Sequence, residues 1–165
     1  MIENILPAIV DASTKVLIVG SMPGVQSLQK QQYYGNPRNH FWPIIASLTG
    51  NAVPERYEDR IALVKRYHIG LWDVIKECER KGSLDSNIKQ EVPNDFEELF
   101  AKYPQIEAVV FNGTKAYQVF QKHVGEDVLQ GRILYKMPST SPVPGRYNKT
   151  LIEKQEIWAQ ISKYI

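Results

Sequence analysis

"KVLIVGSMPG" (Lys15–Gly24) runs from an unbroken apolar stretch into a turn of small residues, two glycines and a proline. A strand that faces solvent on one side alternates apolar and polar residues; a continuous apolar run belongs to a strand covered on both faces. "EAVVFNG" (Glu107–Gly113) and "RILYKMPS" (Arg132–Ser139) have the same form, and "HIGLWDV" (His68–Val74) is a weaker fourth example. Between them lie helical patterns: "HFWPIIASL" (His40–Leu48), "RYEDRIALVKRY" (Arg56–Tyr67), "PNDFEELFAKY" (Pro93–Tyr103) with Asn94 as the expected N-cap, and "GTKAYQVFQKHV" (Gly113–Val124). A last amphipathic stretch places Leu151, Trp158 and Ile165 seven apart with Ile161 on the same face. Strands alternating with helices predict an α/β fold: a three-layer α/β/α sandwich around a short, mainly parallel four-stranded sheet, in one domain spanning residues 1–165.

Composition narrows the rest. The chain has 165 residues, enough for a proper core, and its net charge of +2 permits nucleic-acid binding without arguing for it. No apolar run approaches a membrane span, so no membrane partner is expected. The N-terminal "MIENILPAIV" carries acidic and polar residues where a signal peptide carries basic ones. The lone cysteine, Cys78, excludes an intramolecular disulfide and fits a reducing cytoplasm. His40, His68 and His123 stand far apart with no second cysteine, so no zinc signature is present.

In open parallel sheets a ligand binds outside the carboxyl ends of the strands. Three segments meet there: Gly20–Gly24, Phe111–Gly113 and Pro138–Pro142. "YYGNPRNHFW" (Tyr33–Trp42), with four aromatics, follows the first. Phe41 and Trp42 open a helix and are expected to pack inward. Tyr33 and Tyr34 are harder to bury because their hydroxyls need partners, and a tyrosine beside Gly35 can form a stacking floor for a planar base. An asparagine side chain suits a base edge or a water molecule, but the spacing of Asn36 and Asn39 favours turn-building and helix capping, with Asn39 where a cap is wanted. Asn112, at the end of an apolar strand, either caps the next helix or points into the site. "MPSTSPVPGRYN" (Met137–Asn148) is read either as a rigid connector or as a proline-stiffened loop whose hydroxyls and main-chain N–H groups hold phosphates, with Val143 as a wedge between base steps. The glycine turn is neither a Walker loop nor a dinucleotide fingerprint, and no Ser-His-Asp pattern is present. Asp73 is the one carboxylate near a strand end, and solvation is its ordinary fate.

Taken in order and spacing, "GSMPG", "YYGNPRNHFW", "GLWDV", "VVFNGTKAY" and "MPSTSP" resemble the uracil-DNA glycosylase superfamily, from about Val16 to Arg146. The chain is similar to the mismatch-specific uracil/thymine glycosylases, which carry G-I-N-P-G, N-R-F-W and L-P-N-P-S motifs. It looks closer still to the hypoxanthine-DNA glycosylase branch, with G-S-x-P-G and P-x-N-x-F-W. The resemblance implies a monofunctional DNA N-glycosylase that flips a deaminated base, hypoxanthine or uracil, out of duplex DNA and hydrolyses its glycosidic bond, working as a monomer with neither metal nor organic cofactor. It also implies roles. Asn39 orients the attacking water and Tyr34 stacks on the base. Asn112 and the main chain of Ser21 and Met22 hydrogen-bond the base edge, while Ser139, Thr140, Ser141, Val143 and Arg146 meet the DNA. Two departures matter. Met22 stands where the mismatch-specific relatives have a water-positioning asparagine, and Ser139 stands where several relatives have Asn or His. A uracil-specific mismatch enzyme and an inactive damaged-DNA-binding domain are the alternatives those departures leave open.

Overall fold

The computed structural model describes residues 1–142 and 149–165. Four strands, β2 (Val16–Gly20), β3 (Ile69–Asp73), β6 (Ala108–Asn112) and β7 (Ile133–Met137), form one wholly parallel sheet in the order β3-β2-β6-β7. The pleat sends alternate residues to opposite faces. Val16, Ile18, Ile69, Leu71, Ala108 and Val110 join one core with α2 (Phe41–Thr49), α3 (Tyr57–Arg66) and α6 (Leu151–Trp158). Leu17, Val19, Val109 and Phe111 join a second core with α4 (Phe96–Lys102) and α5 (Thr114–His123). This is the expected three-layer sandwich, and it explains the unbroken apolar runs: neither face of β2 or β6 meets water.

A second sheet was not foreseen. β1 (Ile2–Glu3), β4 (Ile75–Glu79) and β5 (Lys89–Pro93) pair antiparallel in the order β1-β4-β5. β4 begins one residue after β3 ends. At that corner Val74 N–H donates to the Gly20 carbonyl and Ile75 N–H to that of Ser21, at 2.8 and 3.1 Å. The chain therefore bends around the carboxyl end of β2 and closes one side of the sheet's ligand edge. β1 has only two residues, and Lys76, Glu79, Lys89 and Gln90 of the other two strands are exposed, so no apolar run announces them.

The helix ends follow local chemistry, with one correction. α4 is capped by Asp95, whose side chain accepts from Glu98 N–H, and not by Asn94. Asn94 instead donates 2.8 Å to the main-chain oxygen of Asp73. Thr150 and Glu153 close a reciprocal capping box at the start of α6. A six-residue helix, α1 (Val25–Lys30), follows the first glycine turn and was also not foreseen.

Trp158 is the keystone of the α2–α6 contact. It is fully buried, meets Phe41 edge-to-face at 6.4 Å, and donates its indole N–H to the Pro138 carbonyl at 3.2 Å. Trp158→Ala is expected to cost about 3–5 kcal/mol, read as a lower urea midpoint. Ile152→Ala on the same helix, at an exposed position, is expected to stay within about 0.5 kcal/mol of the parent.

Candidate active site

Gly20, Asp73 and Asn112 end three neighbouring strands, so register alone brings them to one edge of the sheet. There they line a cavity of about 390 Å³, with Ser21, Met22, Tyr34, Asn36, Asn39, Asp85 and Ser139–Pro142 completing its walls. That volume is within the usual range for a small-molecule site, about 300–1,000 Å³.

The aromatic loop forms one wall. Tyr33 is buried, contrary to expectation, because its hydroxyl finds a partner: it donates to the Pro7 carbonyl at 2.7 Å. Tyr34 adopts the left-handed conformation with φ of 54°. This lays its ring parallel to Phe41 at 3.8 Å, while burial pushes its hydroxyl well above the ordinary tyrosine range. Phe41 and Trp42 pack inward as expected.

Asn112 does not cap α5; Gly113 takes that position with no side-chain bond. Instead Asn112 acts as a strut. Its amide hydrogens go to the Tyr34 hydroxyl at 3.2 Å and the Thr140 hydroxyl at 3.0 Å, and its oxygen accepts from Thr140 N–H at 3.0 Å. Both donors expected at a base edge are thus already engaged. Thr140, expected to meet DNA, is turned inward and is 1% exposed. Ser139 is exposed, and its hydroxyl accepts from Ser141 N–H at 3.1 Å. Val143 and Arg146 lie outside the described residues. Asn39 accepts from Phe41 N–H at 2.8 Å through Oδ1, a turn bond that leads into α2, whose N-cap is His40. Its Nδ2 donates to no group among the described residues and lies on the cavity wall. Met22 packs its thioether into the core shared with α4 and α5. Ser21 is tied to Asp85, donating 2.7 Å from its hydroxyl.

Behind Asn39, Lys154 of α6 is 1% exposed and sets its ammonium 3.1 Å from His40 Nδ1 and 3.5 Å from the Ser141 carbonyl. Burial, then the neighbouring lysine charge, holds the His40 imidazole below its ordinary pKa. A neutral ring with Nδ1 as acceptor suits this contact.

Asp73, expected to be solvated, is the more buried of the two carboxyls that line the cavity, at 4% exposure. Its Oδ2 accepts from Asn4 Nδ2 at 3.0 Å, and no described residue hydrogen-bonds Oδ1. A methyl group added at Gly20 would stand 2.6 Å from that Oδ1 and 3.5 Å from the Tyr34 hydroxyl, so only glycine leaves the space in front of it. Burial pushes the carboxyl pKa up to about 7. The Asn4 hydrogen bond and Arg80 pull it down, and Asp85 pushes it further up. In neutral form a carboxyl becomes a hydrogen-bond donor. The sequence hint was present, a carboxylate ending an apolar strand, but its burial depends on β1 and β4, which the sequence did not show. Among the described residues no cluster of three or more His, Cys, Asp or Glu could hold a metal, and no helix is long and apolar enough to cross a membrane.

Comparison with known proteins agrees with this geometry. Residues 7–162 match the family described as the uracil DNA glycosylase superfamily. The chain is 36% identical over 167 residues to a protein named hypoxanthine DNA glycosylase from Methanosarcina acetivorans, covering 99% of this chain and 100% of that one. A protein of the same name from Methanosarcina barkeri is 34% identical over 160 residues, covering 95% of this chain and 96% of its own length. A solution NMR structure of a Methanosarcina acetivorans protein superposes with a TM-score of 0.80 at 36% identity, covering 96% of this chain and 95% of that one.

The Asp73 carboxyl leaves a thermodynamic trace. A carboxyl whose pKa rises from 3.8 unfolded to about 7 folded contributes stability that is full below the unfolded value and lost as pH rises through the folded one. Asp73→Asn removes that loss. Urea unfolding at pH values below and above about 7 is expected to show the variant gaining on the parent as pH rises. Equal slopes in the two proteins would mean the carboxyl titrates normally.

Proposed function

The chain belongs to the uracil DNA glycosylase superfamily, and from that premise we propose that it removes deaminated bases from DNA, hypoxanthine foremost and uracil by the same contacts. It acts as a single-domain monomer on duplex DNA in the cytoplasm. The observation that carries this reading is the buried carboxyl of Asp73, with one oxygen open to a cavity at the carboxyl ends of the strands.

The chemistry follows from which groups deamination changes. Loss of the exocyclic amine turns adenine into hypoxanthine and cytosine into uracil, and in both a hydrogen-bond donor becomes a carbonyl acceptor. A flipped base enters with its sugar trailing at the rim, so the edge opposite the glycosidic bond reaches deepest. That edge carries the new carbonyl, and there it meets Asp73, the more buried of the two cavity carboxyls. With its carboxyl neutral, Oδ1–H donates to the carbonyl of the deaminated base and meets the amine of the parent base donor to donor. As the glycosidic bond breaks, negative charge spreads onto the departing base and its carbonyl. A preorganised donor aimed at such charge contributes about 2.7–4 kcal/mol to barrier lowering.

The other walls supply the remaining parts. The face of Tyr34 turned away from Phe41 stacks on the base. Base extrusion costs a few kcal/mol, least where pairing is already weak. Asn39 stands at the partly exposed wall, level with the trailing sugar, and positions the water; an amide is too weak a base to do more. Met22, in the core, leaves that task to Asn39. Ser139 and Ser141 present the exposed loop to the phosphates, with Val143 and Arg146 completing the DNA contact.

Single-turnover release from duplexes containing deoxyinosine, deoxyuridine or only parent bases tests this. Release is expected from deoxyinosine and deoxyuridine and not from parent duplex. Asn39→Ala is expected to slow it about 10²-fold or more with duplex binding retained. Wild-type release falls as pH rises through about 7 and Asp73 ionises. Asp73→Asn is expected to keep release within about tenfold, a loss of about 1.4 kcal/mol, and to lose that pH dependence, because its amide still offers a donor to the cavity. Loss of release in Asp73→Asn at every pH would overturn the neutral-acid reading.

A further inference from the structure

Asn4 lies before the residues that match the family and outside the cavity lining, yet it touches the group on which specificity rests. Its main-chain N–H donates 2.8 Å to Lys76 O, continuing the pairing of β1 with β4. Its side-chain amide makes three further bonds. The two hydrogens of Nδ2 go to Asp73 Oδ2 and to the Ile75 carbonyl, both at 3.0 Å, and Oδ1 accepts from Leu6 N–H at 3.1 Å. Two of these partners are main-chain groups whose polarity cannot change. Rotating the amide by half a turn would set NH₂ against the Leu6 N–H and the carbonyl against the Ile75 oxygen, so one orientation is enforced.

We propose that Asn4 is a positioning residue for base discrimination: by donating to Asp73 Oδ2 it forces the acid hydrogen onto Oδ1, where it points into the cavity at the carbonyl of the deaminated base. The inference rests on the neutral-acid reading of Asp73. A carboxylic acid can carry its hydrogen on either oxygen, and an oxygen that accepts from an amide N–H is the carbonyl-like one. Without Asn4 the hydrogen is free to turn away from the cavity, and Oδ1 then offers lone pairs to the base. Asn4 thus sets the sign of the contact, donor or acceptor, from outside the site.

Exchanging the two residues tests this. In Asp73→Asn alone, Asn4 donates to the oxygen of the new amide and its NH₂ faces the cavity as a donor. In the double variant Asn4→Asp/Asp73→Asn, the carboxylate at position 4 still caps Leu6 N–H and accepts from the NH₂ of residue 73. The amide oxygen of residue 73 then faces the cavity as an acceptor. Side-chain size and the bond between positions 4 and 73 are conserved and the sign presented to the base is reversed; the exchange also adds a carboxylate relative to Asp73→Asn and removes the donor to the Ile75 carbonyl, a loss that the thermal transition reads separately. Single-turnover release from deoxyinosine duplex is expected to be about 10²-fold slower in the double variant than in Asp73→Asn, with duplex binding equal and the thermal transition checked for folding. Equal release in the two would overturn the proposal. A failure of Asp73→Asn itself would instead remove the reading beneath it.

Asn4→Ala gives an independent readout if the exchanged variant does not fold. The Asn4 bond lowers the Asp73 pKa, whereas burial and Asp85 raise it and Arg80 lowers it; the Tyr33 and Tyr34 hydroxyls face the same carboxyl from the aromatic loop. Removing the bond moves the alkaline fall in release to higher pH, with a lower plateau in kcat and no change in KM. A plateau and midpoint both equal to the parent's would show that Asn4 serves the fold alone and would overturn the proposal.

Discussion

The site depends on the register of four short parallel strands. Gly20 is opposite Asp73, Val19 is opposite Phe111, and Asn112 is opposite Met137. Because side chains alternate along a strand, slipping any one pair by a residue would send its terminal polar group to the other face of the sheet, into a helix layer. Register is specified by burial on both faces: Val16 and Ile18 on one side and Leu17 and Val19 on the other are all fully buried. The apolar interior of the sheet therefore positions the polar chemistry at its edge, and the cavity exists because the strands stop together.

Parts of this were legible from sequence and parts were not, for a physical reason. The four parallel strands and the five helices α2 to α6 announced themselves through apolar runs and helical spacing. β1, β4 and β5 did not: β1 has two residues, β4 buries only Ile75 and Cys78, and β5 is exposed or half-exposed along its whole length, so pairing rather than patterning defines them. The site divides in the same way. The glycine turn, Tyr34, Asn39 and Asn112 sit in local motifs and do meet at one cavity. The environment of Asp73 is non-local, built by Asn4 from 69 residues away and Asn94 from 21 residues away. A carboxylate at a strand end reads as solvated until the chain segments that cover it are known.

The same cover explains why the carboxyl sits near neutrality. Arg80 is 7% exposed, donates to the Pro23 carbonyl at 2.6 Å, and has no other hydrogen-bond partner for its guanidinium among the described residues. A cation so placed opposes the effect of burial on Asp73 and Asp85, but burial is the largest contribution at both. Unlike a bidentate ion pair, which would pin Asp73 as a carboxylate, this arrangement holds the GSMPG turn through a main-chain oxygen and leaves Asp73 able to carry a proton. The turn motif and the acid are thus supported by one arginine without that arginine neutralising the acid's role.

Asn39 shows how a fold can impose a functional orientation through a structural bond. Its oxygen is held by Phe41 N–H at the start of α2, and Phe41 is in turn stacked against Tyr34 and set edge-to-face with Trp158. On the far side, His40 N–H donates to the Thr140 carbonyl, and the Thr140 hydroxyl receives Asn112. Asn39 is therefore held through the two residues that follow it, and its own N–H donates to the Asn36 carbonyl at 2.9 Å, which fixes the residue on the cavity wall. In the proposed reading the turn bond and water positioning do not compete at this residue: the bond supplies rigid placement of the amide, and an amide too weak to act as a base has only its placement to contribute.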